Sequence, residues 1–232
     1  MIIMPTRRRA ILTLVLASTI ASPAFAHSLQ EVEQQLHDKE PHAQLVDSQA
    51  PDFTLQDSDG RVVRLADYRS KVVVLNFVYA SCPDVCPLQV EKMAKLQEMI
   101  NATPMKGQVA FVTVTTDPNR DTSQVLREYG PAHALDPTNW TFLTAAPDQP
   151  ADATRALARA YGLEFTPSAD EMQMHGAVTH VIDQDGRLRA RFHGLDFQPV
   201  HFVVYVNALA NRAQAGHPHE APPIWDRIRN LF

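Results

Sequence analysis

The sequence is poor in cysteine, with two residues in 232, Cys82 and Cys86. Two thiols exclude a four-cysteine zinc cage. A bridge between them would close a loop too small to add much stability, so a purely structural disulfide is the weaker reading. No cysteine lies near the N-terminal processing site, so that end offers no thiol for a lipid anchor. After the first thirty residues there is no apolar run long enough to span a bilayer. Basic charge is not in excess either: 21 Lys and Arg face 26 Asp and Glu, a formal net charge of −5. Nucleic acid is therefore not expected as a partner, because phosphate binding needs a basic footprint. No internal repeat is visible.

What is present fits one well-buried domain with tails. Apolar residues make up 45% and charged residues 20% of the chain, ordinary values for a globular protein. The first residues form a separate unit. Arg7, Arg8 and Arg9 precede an apolar run from Ala10 to Ile20, and small residues lead to Ala24-Phe25-Ala26. These are the parts of a cleaved secretory signal, over residues 1–26. A retained membrane anchor is the alternative, and the apolar run is short for it. Removal leaves 206 residues from His27 with a formal charge of −8. The signal type fits a Gram-negative periplasm, an oxidising compartment in which paired cysteines can close.

Residues 27–45 are polar without an apolar period and read as a mobile or loosely helical arm. Phe53–Gln56 and Arg61–Leu65 flank an Asp-Gly turn as a hairpin. Val72–Tyr79 is a continuous β-branched and aromatic run, the mark of a strand buried on both faces. Leu88, Met93, Leu96 and Ile100 then recur at helical spacing, with Pro87 in a first-turn position. Val109–Thr115 reads as a second buried strand. Asp121, with Gln124 three residues on, reads as the capping box of a short helix reaching Tyr129. A strand at Trp140–Leu143, a helix over Asp152–Tyr161, a hairpin of Val178–Ile182 with Leu188–Phe192, and a helix over Val200–Arg212 complete the pattern. The tail over 213–232 is rich in His and Pro and reads as a docking helix or an exposed segment.

Strand–helix alternation closed by an antiparallel hairpin predicts a mixed central sheet flanked by helices. A dithiol where the first long strand gives way to a helix matches the α/β thioredoxin-like layout, here with an N-terminal hairpin insertion, over residues 46–212. A helix N-terminus there favours thiolate over thiol. Cys82 and Cys86 are four apart, so they lie one turn apart on one helix face. Redox thioredoxins place two residues between their cysteines, whereas this chain has three, Pro83, Asp84 and Val85. The wider spacing leaves room for an ion, and soft thiolates select Cu(I) or bind zinc.

The segment Cys-Pro-Asp-Val-Cys-Pro after a buried strand resembles the Sco/SenC copper-chaperone family. Thr115-Thr-Asp-Pro-Asn-Arg-Asp-Thr122 is similar to a second family segment. His175-Gly-Ala-Val-Thr-His-Val-Ile-Asp-Gln-Asp-Gly186 resembles the block in which the ligand His stands eleven residues before the hairpin Gly. The resemblance implies a copper site of Cys82, Cys86 and His175, holding Cu(I) or Cu(II). Two departures stand out: Met174 occupies the usual Asp position before the His, and His180 replaces a common Tyr. His175 and His180 are therefore both ligand candidates; the family spacing favours His175, and strand alternation agrees by making His180 a core or hairpin residue.

Met174 and Asp117 are auxiliary candidates. Met174 and Met172 carry soft thioether sulfur. Asp117 resembles a family position near the site, although Asp-Pro is also an ordinary turn starter. Asp84 reads as a solvated loop carboxylate. His193 and His201 read as partly exposed residues, and His27, His217 and His219 as weak copper-gathering groups at the tails. The resemblance implies delivery of copper to the binuclear centre of a respiratory oxidase. The partners expected are a copper-accepting oxidase subunit, other periplasmic copper carriers and a thioredoxin-like reductant. A thiol–disulfide oxidoreductase that reduces client cysteines is the competing reading, and a thiol peroxidase of the same fold is a weaker third.

Overall fold

The computed structural model describes residues 28–82, 85–166 and 173–215. Its centre is Val72–Val78 (β4), every residue of which is buried. Val109–Thr115 (β5) lies parallel beside it in unbroken register from Val72↔Val109 to Val78↔Thr115. Trp140–Thr144 (β6) runs parallel to β5. On the other side of β4, Val178–Ile182 (β9) is antiparallel, followed by Arg187–His193 (β10) and Ala43–Gln49 (β1). The far edge is the hairpin of Thr54–Asp57 (β2) and Val62–Arg64 (β3), with β2 paired to β6. Eight strands thus run in the order β1-β10-β9-β4-β5-β6-β2-β3. The continuous apolar runs belong to the interior strands covered on both faces, while β10, one strand from the edge, alternates.

The helices are Leu29–Lys39 (α1), Val85–Asn101 (α2), Ser123–Ala132 (α3), Ala153–Ala160 (α4) and Pro199–Ala215 (α5). α1 packs on α5, and α5 packs on α2 and on β4. In α3, Gly130 is required by its neighbour: a Cβ there would meet the Trp140 ring at 2.2 Å. The sheet with its flanking helices is the mixed α/β architecture expected from the sequence. Among the described residues, no helix is long and apolar enough to cross a membrane. The segments 1–27 and 216–232, which carry the expected signal, His27, His217 and His219, lie outside the described residues.

Three local expectations need correction. The arm over 27–45 is ordered from Ser28 onward: α1 carries a capping box in which Ser28 and Glu31 satisfy each other's backbone N–H. Val32 and Leu36, one turn apart, bury its inner face, and β1 then closes the sheet edge. Two apolar residues four apart are too short a signal to show as a period. Leu88 is 52% exposed and does not join the core that Met93, Leu96 and Ile100 enter. Asp121 does not cap α3, because Thr122 takes that place with its hydroxyl accepting from the Val125 N–H.

His180 is fully buried in β9, edge-on to the rings of Phe77 and Tyr161 at 6.0 and 5.1 Å between centroids. Its Nε2 lies 3.1 Å from the Tyr161 carbonyl. It is the core residue that strand alternation implied. Burial holds its pKa down at about 4, against 6.5 for a free imidazole. A depressed histidine takes up its proton in the unfolded chain first, so its contribution is complete above pH 6.5 and lost as pH falls toward 4. We expect urea midpoints to be level from pH 8 to 7 and to fall below 6.5, by an amount worth about 3 kcal/mol at pH 4. His180→Leu should remove that step from the profile. An identical pH profile in the variant would show that the proton goes elsewhere.

Candidate metal and thiol site

The site is built where β4 ends. Beyond Val78 the chain turns sharply, with the Cys82 N–H donating to the Tyr79 carbonyl at 3.1 Å. α2 then starts at Val85, so Cys86 falls in its first turn beside Pro87. Pro83 and Asp84 lie outside the described residues. Both cysteines are free thiols. The Cys86 N–H points at the Cys82 sulfur, 3.4 Å away, which is the helix N-terminus serving the first cysteine as expected. The Tyr79 hydroxyl donates to the same sulfur. Burial, followed by that contact, pushes the Tyr79 pKa up.

The two thiols differ. Cys82 is 7% exposed and Cys86 0%. Burial pushes the Cys86 thiol well above its ordinary range, and its hydrogen bond with Cys82 adds to this. Cys82 is the sulfur nearer solvent, and Cys86 is the one held underneath it.

A buried carboxylate supports the turn. Asp121 is 2% exposed, and its Oδ2 accepts the Ala80 N–H at 3.0 Å and the Thr115 hydroxyl. Burial raises its pKa, while the Thr115 and Ala80 hydrogen bonds pull the other way. Asp121 therefore ties the loop before Cys82 to the end of β5. Asp117, the auxiliary candidate from the sequence, heads the next turn. Its carboxylate is held by Arg120, and its N–H donates to Thr115 Oγ1 at 2.9 Å. Sequence reasoning missed Asp121 in this position because an Asp before an apolar helix reads first as a cap.

His175 ends a short strand, Gln173–His175 (β8), which pairs antiparallel with Glu164–Thr166 (β7) at Glu164↔His175. Met174 lies in the same strand, opposite Phe165, and Met172 lies outside the described residues. Gly176 follows with φ +79°, a left-handed turn that suits glycine, and the chain then enters β9. β9 is hydrogen-bonded to β4, the strand that delivers Cys82. A second tie comes from α2: Gln89, 1% exposed, donates through Nε2 to the Val178 carbonyl at 3.2 Å. The helix that holds Cys86 is thus pinned to the strand that begins three residues after His175. Gln89 carried no signal in the sequence, where a polar residue in a helix reads as solvent-facing. Among the described residues, no three His, Cys, Asp or Glu side chains converge as a metal cluster.

Comparison with known proteins gives the family and the fold. The profile of the SCO1/SenC family matches residues 41–209. The chain belongs to the SCO1/SenC family. It is 23% identical over 152 residues to the SCO1 protein homolog of Bacillus subtilis, covering 66% of this chain and 77% of that one. Its fold is similar to that of BsSco, described as a member of the Sco family of cytochrome c oxidase assembly proteins. That match has a TM-score of 0.63 and 20% identity, over 72% of this chain and 96% of BsSco. The copper-bound ScoI of Arabidopsis thaliana matches with a TM-score of 0.58 and 22% identity, over 72% of this chain and 99% of that one. The fold is therefore the thioredoxin-like one of the Sco proteins.

Two outcomes are expected from the geometry. Under limiting iodoacetamide at pH 8, Cys82 should be labelled before Cys86, by about tenfold or more in rate given the raised and covered second thiol. Peptide mass spectrometry reads the order, and equal rates would refute the asymmetry. Gln89→Ala should loosen the α2–β9 tie at a cost of about 1–3 kcal/mol. Amide exchange at the start of β9 should rise in that variant, and protection unchanged at Val178 would count against the tie.

Proposed function

We propose that this protein is an exported copper chaperone that carries copper on Cys82, Cys86 and His175 and passes it to the binuclear copper centre of a respiratory cytochrome oxidase. The observation that carries this reading is the pair of free thiols at a helix N-terminus, Cys86 in the first turn with its N–H on the sulfur of Cys82 before it, in a chain of the SCO1/SenC family. Two thiolates suit Cu(I), and an added imidazole extends the set to Cu(II). His175 has the family spacing, and the Gln89 tie holds the start of β9, three residues after His175, to the helix of Cys86. Copper here is cargo, and a site of few ligands leaves room for a receiving protein to add its own. The partners follow: a copper-accepting oxidase subunit, periplasmic copper carriers that load the site, and a thioredoxin-like reductant that keeps it open. The signal-like residues 1–26 support a periplasmic, soluble location after cleavage.

A second reading has its own support. An outer thiol above a covered one is the arrangement of an attacking and a resolving cysteine, which suits thiol–disulfide exchange with a client. The two activities exclude each other at any moment, since a Cys82–Cys86 disulfide has no thiolate to offer copper.

Anaerobic copper titration of the reduced chain, with X-ray absorption to count sulfur and nitrogen ligands, separates them. We expect two sulfurs and one imidazole. His175→Ala should weaken copper binding at least about tenfold and leave reduction of a model disulfide near the parent rate. Unchanged copper affinity in His175→Ala would remove that residue from the ligand set. No copper uptake by the reduced parent would favour the exchange reading.

A further inference from the structure

His42 and His193 are 151 positions apart in sequence and face each other in the fold. β1 and β10 are antiparallel, with Ala43 opposite Phe192 and Gln44 opposite Arg191. The His193 N–H donates to the His42 carbonyl at 2.9 Å, which continues that register by one pair. Residues directly opposite in an antiparallel ladder share a face, with Cβ atoms about 5 Å apart. Two imidazoles on such a base can close on one metal ion. Gln44, two residues along on the same face, already places its Oε1 3.3 Å from His193 Nε2. His193 is exposed and His42 half-buried, so the pair is open to solvent.

The location matters for cargo. β10 ends beside the start of β9, where the Gly194 N–H donates to the Ala177 carbonyl at 2.8 Å. Ala177 is two residues after His175. The histidine pair therefore sits at the same end of the sheet as the strand that carries His175.

We propose that His42 and His193, with the Gln44 amide oxygen as a third donor, form a second metal site that takes Cu(II) at the rim of the sheet. The donor set decides the ion. Imidazole and amide oxygen without thiolate favour Cu(II), which stands highest among the first-row divalent ions for such ligands. A neutral imidazole is required, and Arg191, two residues before His193 in β10, brings a positive charge close by. The same arginine repels the bound cation. The site is accordingly a weak and exchangeable one, suited to temporary holding.

The test removes sulfur chemistry first. The full chain with Cys82→Ser and Cys86→Ser is titrated with Cu(II) alone, and electron paramagnetic resonance counts the coordinated nitrogens. His42→Ala and His193→Ala in this background should each weaken one equivalent of Cu(II) at least about tenfold and remove one imidazole from the nitrogen pattern. His133→Ala, on a different element, should leave both unchanged. The proposal fails if either His42→Ala or His193→Ala keeps the parent's titration curve and nitrogen pattern, or if the parent takes up no Cu(II). Should the double serine chain not fold, Cys82→Ser alone serves as the background with the same readings. Because the thiols are absent or halved, the outcome is independent of whether Cys82 and Cys86 carry copper.

Discussion

The structure around the dithiol depends on the buried carboxylate of Asp121. β4 must end and α2 must begin within a few residues, which leaves backbone N–H groups without strand partners. Asp121 accepts one of them, from Ala80, and also takes the Thr115 hydroxyl at the end of β5. Thr115 accepts in turn from the Asp117 N–H. One side chain thereby joins two parallel strand ends and the turn of Asp117 to the loop before Cys82. A buried carboxylate is costly unless its acceptor sites are filled. Here those partners are the backbone and side-chain groups whose position the site requires.

That constraint accounts for the inequality of the thiols. The turn held by Ala80 lifts Cys82 toward solvent, where the Cys86 N–H and the Tyr79 hydroxyl meet its sulfur. Cys86 is carried inward by the first turn of α2 and is sealed there. On the function proposed above, Cys82 is the sulfur that a partner protein meets first.

Much of this was legible in the sequence because it depends on local rules. The buried strands Val72–Val78 and Val109–Thr115 announce themselves by unbroken apolar runs, and His180 by its place in strand alternation. The dithiol at a strand–helix junction needs only its immediate neighbours. What escaped depends on distant partners. Asp121 reads as a helix cap until the Ala80 loop is brought against it. Gln89 reads as a surface residue until β9 is laid beside α2. The N-terminal arm reads as loose because the faces that cover Val32 and Leu36 come from α5, about 160 residues later in the chain. His175 is a ligand candidate through family spacing rather than through local chemistry.

The placement of His175 on a separate short hairpin has a consequence for cargo release. Cys82 stands just before α2 and Cys86 in its first turn, linked by the Cys86 N–H to Cys82 sulfur contact. His175 belongs to the β7–β8 pair, which forms its own two-stranded sheet outside the main one. It joins the core through Phe165 of β7, which packs against it, and through Gly176, which leads into β9. On the function proposed above, His175 is a third ligand on an element outside the main sheet, and a receiving protein that displaces it leaves the ion on the two sulfurs.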